Sequence, residues 1–291
     1  MKKMDLLSIS DLDLPTIEQL AVRAIELSKH WHNRTVPQTL TDIHVGLIAE
    51  LPGWRNPTAL ALGVAAMGGI CVDVTAKLQG AETVEDLAGY MDNWFDLLAV
   101  RTPQLSQLRE FSESLDAPVL NLRTSDNHPC EILGDLSYVL SERGSWKSLK
   151  VAMVGPAGNI ARSWIEASAV LPIEVVQVAP SHLAFSKDDL GPRSSTTNDL
   201  RLIEEADIII TDCWPDNTSH DEQEMLASLR IDGNTLNRCR PDVLFIPCPP
   251  VTRGEEVSDD AMNHERCVAT RAKDFLMHAQ NSFVEQATGR I

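Results

Sequence analysis

The chain has 291 residues, 43% of them hydrophobic, and a formal charge of −17. That length exceeds what one hydrophobic core usually serves, so two domains are expected. The acidic balance excludes nucleic acid, whose phosphates require a basic surface, and disfavours an anionic membrane, leaving a small-molecule site or a protein partner.

No run reaches transmembrane length, and Met1-Lys2-Lys3-Met4-Asp5 lacks the apolar segment of a signal peptide. A cytoplasmic protein is the expectation. The six cysteines, Cys71, Cys130, Cys213, Cys239, Cys248 and Cys267, form no CxxC pair. Neither a disulfide framework nor a metal site is expected, and no cofactor.

Leu14 to His32 reads as an amphipathic helix with Ile17, Leu20, Ala21 and Ala24 on one face, and Pro15 suits its first turn. Ile43 to Ala49 reads as a strand, Pro52 to Pro57 as a turn, and Thr58 to Met67 as a helix ending at Gly68-Gly69. Then follow a strand from Ile70, a helix from Thr83 to Met91, a strand from Leu97 to Val100, a helix from Leu105 to Leu115 and a strand from Val119. A helix from Pro129 to Glu142 ends at the hinge-like Arg143-Gly144-Ser145. The alternation then restarts: strand from Leu149, helix from Ile160 to Leu171, strand from Ile173. Pro180 to Asp199 reads as a long mobile polar loop over the site. A short helix from Leu200, strands ending at Asp212 and Ile246, and one long helix from Ala261 to Thr288 complete the chain. Strands alternating with helices predict an α/β protein of two doubly wound parallel-sheet domains with the site in the interdomain cleft.

Several residues at predicted strand ends carry polar chemistry. Arg101-Thr102 closes an apolar strand, and His128 opens a helix after a strand, with Glu131 one turn along. A histidine there directs its imidazole and the backbone amides behind it above the sheet, although a polar helix cap has the same sequence. Val154-Gly155-Pro156-Ala157-Gly158-Asn159 follows a strand and opens a helix, but without a full GxGxxG it is a weak dinucleotide signal. Asn159 is also a good helix cap. Asp212 ends a strand, and Pro247-Cys248-Pro249-Pro250 precedes Arg253-Gly254-Glu255-Glu256-Val257.

Taken in order, these segments resemble the ornithine and aspartate carbamoyltransferases. His128-Pro129-Cys130-Glu131-Ile132-Leu133-Gly134-Asp135 is similar to that family's His-Pro-x-Gln-x-Leu-x-Asp motif, and the likeness runs from about Leu6 to the C-terminal helix. It implies an N-terminal carbamoyl-phosphate-type domain of residues 1–143 with a returning C-terminal helix, 261–291, and an amino-acid-binding domain of residues 144–260. It implies a homotrimer, with 77–82 in the loop that completes a neighbour's site. Arg101 and His128 would hold the carbonyl oxygen that becomes an oxyanion, with Thr102 beside them. Glu131 would hold the nitrogen end, accepting where the family's glutamine both donates and accepts. Asn159 and Asp212 would bind the amino acid's carboxylate and α-amino group. Cys248, Pro249 and Arg253 would face the substrate, Cys248 as a weak partner, a nucleophile or an inert buried thiol.

The resemblance breaks at the turn where the family carries Ser-Thr-Arg-Thr-Arg around the phosphate. Here Gly53, Trp54, Arg55, Asn56 and Pro57 stand instead. Three hydroxyls and one cation are lost, and proline removes an amide donor. Trp54 either packs or lines the pocket, and Arg55 and Asn56 are the polar groups left. After Asp212 the family's Ser-Met-Gly is also absent, with Pro215, Asp216, Asn217 and Thr218 there instead. The expectation is a divergent carbamoyltransferase-like enzyme acting on an amino acid or related amine. The alternatives are an enzyme using a donor other than carbamoyl phosphate and a non-catalytic amino-acid-binding regulator.

Overall fold

A computed structural model describes residues 3–215 and 219–291. Asp216, Asn217 and Thr218 lie outside the described residues. The chain divides into two compact units, residues 1–144 with 273–291, and residues 145–272.

In the first unit, four parallel strands, β1 (His44–Ala49), β2 (Ile70–Asp73), β3 (Leu97–Arg101) and β4 (Val119–Arg123), lie in the order β2-β1-β3-β4. β3 is buried throughout, as expected of an apolar strand inside a parallel sheet. Leaving β1, the chain builds outward to β2 on one side and to β3 and β4 on the other. The strand order therefore reverses between β1 and β3, which register Ala49 against Arg101. Ligands of open α/β sheets bind at the carboxyl ends of strands at such a reversal.

Around this sheet lie α1 (Leu14–His32), α2 (Arg55–Ala66), α3 (Val84–Asp92), α4 (Leu105–Glu113) and α5 (Pro129–Arg143). Asp13 caps α1 by accepting from the Thr16 amide, and α1 lies along α5. A core of Ile48, Leu87, Met91, Leu98, Leu108 and Phe111 fills the space under α3 and α4. The expected turn over Pro52 to Pro57 is shorter than anticipated, because α2 already begins at Arg55. Pro57 sits in its first turn, where a missing amide hydrogen breaks no helical bond.

The second unit carries β5 (Lys150–Val154), β6 (Glu174–Val178), β7 (Ser194–Thr197), β8 (Ile208–Thr211) and β9 (Leu244–Pro247), all parallel, in the order β7-β6-β5-β8-β9. Its reversal lies between β5 and β8. The helices are α6 (Asn159–Val170), α7 (His220–Ala227), α8 (Gly233–Arg238) and α9 (Asp259–Met262), and Phe245, Ile209, Val178, Leu236 and Ile231 anchor the core. The polar segment from Pro180 to Asp199 is not one long loop. It holds a single 3-10 turn at Lys187–Asp189 and the edge strand β7, whose Ser-Ser-Thr-Thr sequence suits an exposed edge. The long C-terminal helix also differs from expectation. α9 ends at Met262, and α10 (Ala269–Ala287) starts afresh after a turn closed by the Cys267 amide on the His264 carbonyl.

Candidate active site

Each sheet reversal carries a polar cluster, and the one in the first unit is the richer. His128 is the N-cap residue of α5 and is buried. A side-chain network sets the turn before it: Asn121 donates to Asn127 Oδ1 at 2.8 Å, and both asparagines donate to the Leu7 carbonyl. Thr124 Oγ1 closes the loop on Asn127 Oδ1 at 2.9 Å. Tying the turn to the N-terminal segment fixes where the imidazole points.

Gln280 of α10 donates to Asn56 Oδ1 at 3.0 Å, which turns Asn56 Nδ2 toward His128 Nε2 at 3.4 Å. Glu131 Oε2 lies 3.7 Å from the same ring nitrogen. Burial pushes the His128 pKa down to about 4; Glu131 opposes this, and Arg123, Arg101 and Lys273 reinforce it. The imidazole is therefore neutral at physiological pH. Its Nε2 faces the Asn56 amide, and the partner taken there sets which ring nitrogen carries the proton.

Glu131 is buried against Lys273 of α10, with Nζ 2.9 Å from Oε1. Burial pushes its carboxyl up, but Lys273 and then His128 outweigh that and hold it down at about 2. The same ammonium lies 2.7 and 2.8 Å from the two oxygens of Asp135. Burial, with Glu131 as a like charge, lifts Asp135 to about 6. A close approach of helices makes this possible, since a Cβ on Gly134 would lie 3.1 Å from the Leu276 backbone of α10.

Arg101 at the end of β3 is buried, and its guanidinium grips the turn after β1. Nε reaches the Leu51 and Pro52 carbonyls at 3.3 and 3.2 Å, and Nη2 reaches the Pro52 carbonyl at 2.6 Å. Nη1 is the donor left over among the described residues. Burial and then Arg123 pull the Arg101 pKa down to about 10, with Glu131 opposing, so the group stays cationic. Gly53 follows at φ +130°, and a Cβ there would meet Arg101 Nη2 at 2.5 Å. The glycine that replaces the family's serine is what lets Arg101 lie against the turn.

Trp54 is 68% exposed and caps α2 without a side-chain hydrogen bond. Arg55 stacks its guanidinium 5.2 Å from the indole centroid. Asn56 is turned inward to Gln280 and His128. Thr102 differs from expectation: it is fully buried and donates to Glu50 Oε2, while Glu50 Oε1 accepts from the Leu78 amide at 2.7 Å. Its hydroxyl braces the 74–78 segment.

In the second unit, Gly158 rather than Asn159 is the N-cap of α6, and Asn159 is the buried first residue of that helix. Asp212 is half-buried after β8, accepts from the Cys213 amide at 2.9 Å, and would lie 3.7 Å from a Cβ on Gly158. The glycine turn after β5 and Asp212 thus face each other across the second reversal. Cys248 is buried, with Sγ 3.9 Å from the Pro249 carbonyl, and Pro249-Pro250 is cis. Glu256 nearby is a buried carboxylate accepting from the Thr252 amide at 2.7 Å. Burial raises its pKa, with Glu255 and Asp212 adding to it as like charges. Arg253 was expected to face substrate. It is exposed and pairs with Asp259 at 3.0 Å, and the glycine after it turns the chain at φ +96°.

Residues 4–141 match the family model described as the carbamoyl-P binding domain of aspartate/ornithine carbamoyltransferase, and residues 147–286 match the model of its Asp/Orn binding domain. The chain belongs to the aspartate/ornithine carbamoyltransferase family. An ornithine carbamoyltransferase of Desulfotalea psychrophila is 27% identical over 297 residues, covering 97% of this chain and 98% of its own. That of Paracidovorax citrulli is 30% identical over 258 residues, 84% of each. The ornithine carbamoyltransferase of Pyrococcus furiosus superposes with a TM-score of 0.92 at 23% identity, covering 99% of this chain and 98% of the other. Membership makes the chain a carbamoyltransferase-type enzyme, with the family's histidine kept at His128 and its glutamine changed to Glu131.

Lys273, Gln280, Glu50 and Gly134 were not singled out from sequence as site residues. A signal for the first two exists: they lie seven apart on α10, on a face otherwise made of Leu276 and Met277, where a lysine and a glutamine need buried partners.

Proposed function

We propose that this enzyme carbamoylates the amine of an amino acid, using a donor less anionic than carbamoyl phosphate. The amine lone pair attacks the donor carbonyl, a C–N bond forms, the bond to the leaving group breaks, and the proton shed by the nitrogen departs with that group. Arg101, through Nη1, and neutral His128 stabilise the oxygen charge that develops on the way. Glu131 accepts from the donor's N–H groups. Asp212 pairs with the α-amino group, Asn159 with the carboxylate, and Cys248 and Pro249 line the side-chain end.

The observation that carries this reading is the turn before α2. Its serine and threonine hydroxyls and its second arginine are gone, and Asn56 faces inward. What remains is the Arg55 guanidinium stacked on an exposed indole, a surface suited to a flat group of low charge.

We also propose a homotrimer. Ile70 and Val72 on β2, and Tyr90 and Trp94 on and just after α3, are exposed apolar residues of one unit. They support self-association, and the family resemblance sets the number at three. Charge substitution of Trp94 with Tyr90 then gives monomers in sedimentation; unchanged trimers would exclude this face.

Product analysis tests the chemistry. The enzyme is supplied with carbamoyl phosphate or with carbamoyl donors bearing uncharged leaving groups, alongside a panel of amino acids and their N-acetylated forms. Mass spectrometry is expected to find N-carbamoyl products from the uncharged donors only, none from acetylated acceptors, and none with Arg101→Ala. Equal turnover with carbamoyl phosphate would overturn the donor assignment.

A further inference from the structure

Lys273 is one cation between two carboxylates, Glu131 and Asp135, that lie four residues apart on the same face of α5. Its position depends on Gly134, which lets α10 pass close to α5. Glu131 reaches Lys273 with one oxygen, while the other stands 3.7 Å from His128 Nε2. A carboxylate at that distance from an imidazole nitrogen draws a proton onto the ring unless its charge is held elsewhere.

We propose that Lys273 is a positioning residue of the donor site, holding the Glu131 carboxylate so that His128 and Glu131 do not collapse into an imidazolium–carboxylate pair. Gln280, on the same face of α10, completes the arrangement through Asn56, whose Nδ2 faces ring Nε2. Replacing the family's glutamine by a glutamate adds a buried negative charge, and Lys273 offsets it. The charged groups facing His128 are Glu131 from its own helix, Arg101 from β3, Arg123 from β4 and Lys273 from α10, with Asp135 on the far side of Lys273. The catalytic meaning rests on the reading of His128 as an oxyanion donor; the electrostatic claim does not.

The test follows the His128 ring in the full-length protein by NMR with carbon-13-labelled histidine, the resonance assigned with His128→Asn. Wild-type His128 should stay neutral down to a midpoint of about 4. In Lys273→Met the midpoint should rise above the wild-type value, because the released Glu131 carboxylate stabilises the imidazolium. In Glu131→Gln/Lys273→Met it should fall back toward the wild-type value. Lys273→Gln, which keeps two N–H donors for the carboxylates, serves if the methionine variant does not fold. An unchanged midpoint in the folded single variant would reduce Lys273 to a structural ion pair. A midpoint that stays high in the double variant would show that Glu131 is not the group Lys273 restrains. Neither outcome depends on which donor the enzyme uses.

Discussion

Burying His128 without its proton makes the imidazole acid-sensitive. The unfolded chain binds a proton near pH 6.5, but the folded ring binds one only at about 4. Between those values the unfolded state holds more protons, so stability is fully present above about pH 6.5 and declines as pH falls toward 4. The loss from this group is on the order of 3 kcal/mol. Urea unfolding of wild type and His128→Asn across that window should show a shallower acid decline in the variant. Parallel declines would mean that His128 is not the titrating group. At this scale His128, Arg101 and Asp212 could be found from sequence, because each stands at a predicted strand end or helix start. What Arg101 grips could not, because its partners are main-chain carbonyls that leave no trace in side-chain identity.

Among the elements, α10 has a role that its sequence only half discloses. The apolar pattern of the C-terminal segment marks a helix, and the break between α9 and α10 carries no glycine or proline from Asn263 to Val268 to mark it. That Lys273 and Gln280 point at α5 and α2 depends on the packing of α10 against Gly134 and Gly63, where an added Cβ would meet the Leu276 backbone or the Asn281 side chain. Contact with backbone at 3.1 Å cannot be relieved by a rotamer change. Gly134→Ala should therefore destabilise the protein by about 1–3 kcal/mol and loosen the Lys273 contacts. Denaturant midpoints check the first. The His128 titration checks the second, with a rise expected; an unaltered midpoint with unaltered stability would show that the helices have slack. Among the elements missed from sequence, α7 has one buried residue, Leu226, and β7 is four polar residues, so neither carries an apolar period to read.

At the scale of the whole molecule, two parallel sheets each place a polar cluster at their point of reversal, and this much was legible in the alternation of strands and helices. The boundary of each unit, residues 1–144 with 273–291 and residues 145–272, follows from where α10 packs. The family fixes the class of chemistry, and the rewritten turn over Gly53 to Pro57 is what the proposed change of donor rests on. Each charge-assisted hydrogen bond missing there is worth about 1.5–3 kcal/mol, so on the proposed reading phosphate binding should be weaker by orders of magnitude. Calorimetric titration with carbamoyl phosphate, alone and with amino acids present, measures this directly. The expected result is no saturable heat from the phosphate and clear heat from an amino acid. Micromolar binding of carbamoyl phosphate, with formation of citrulline or carbamoyl-aspartate, would contradict it.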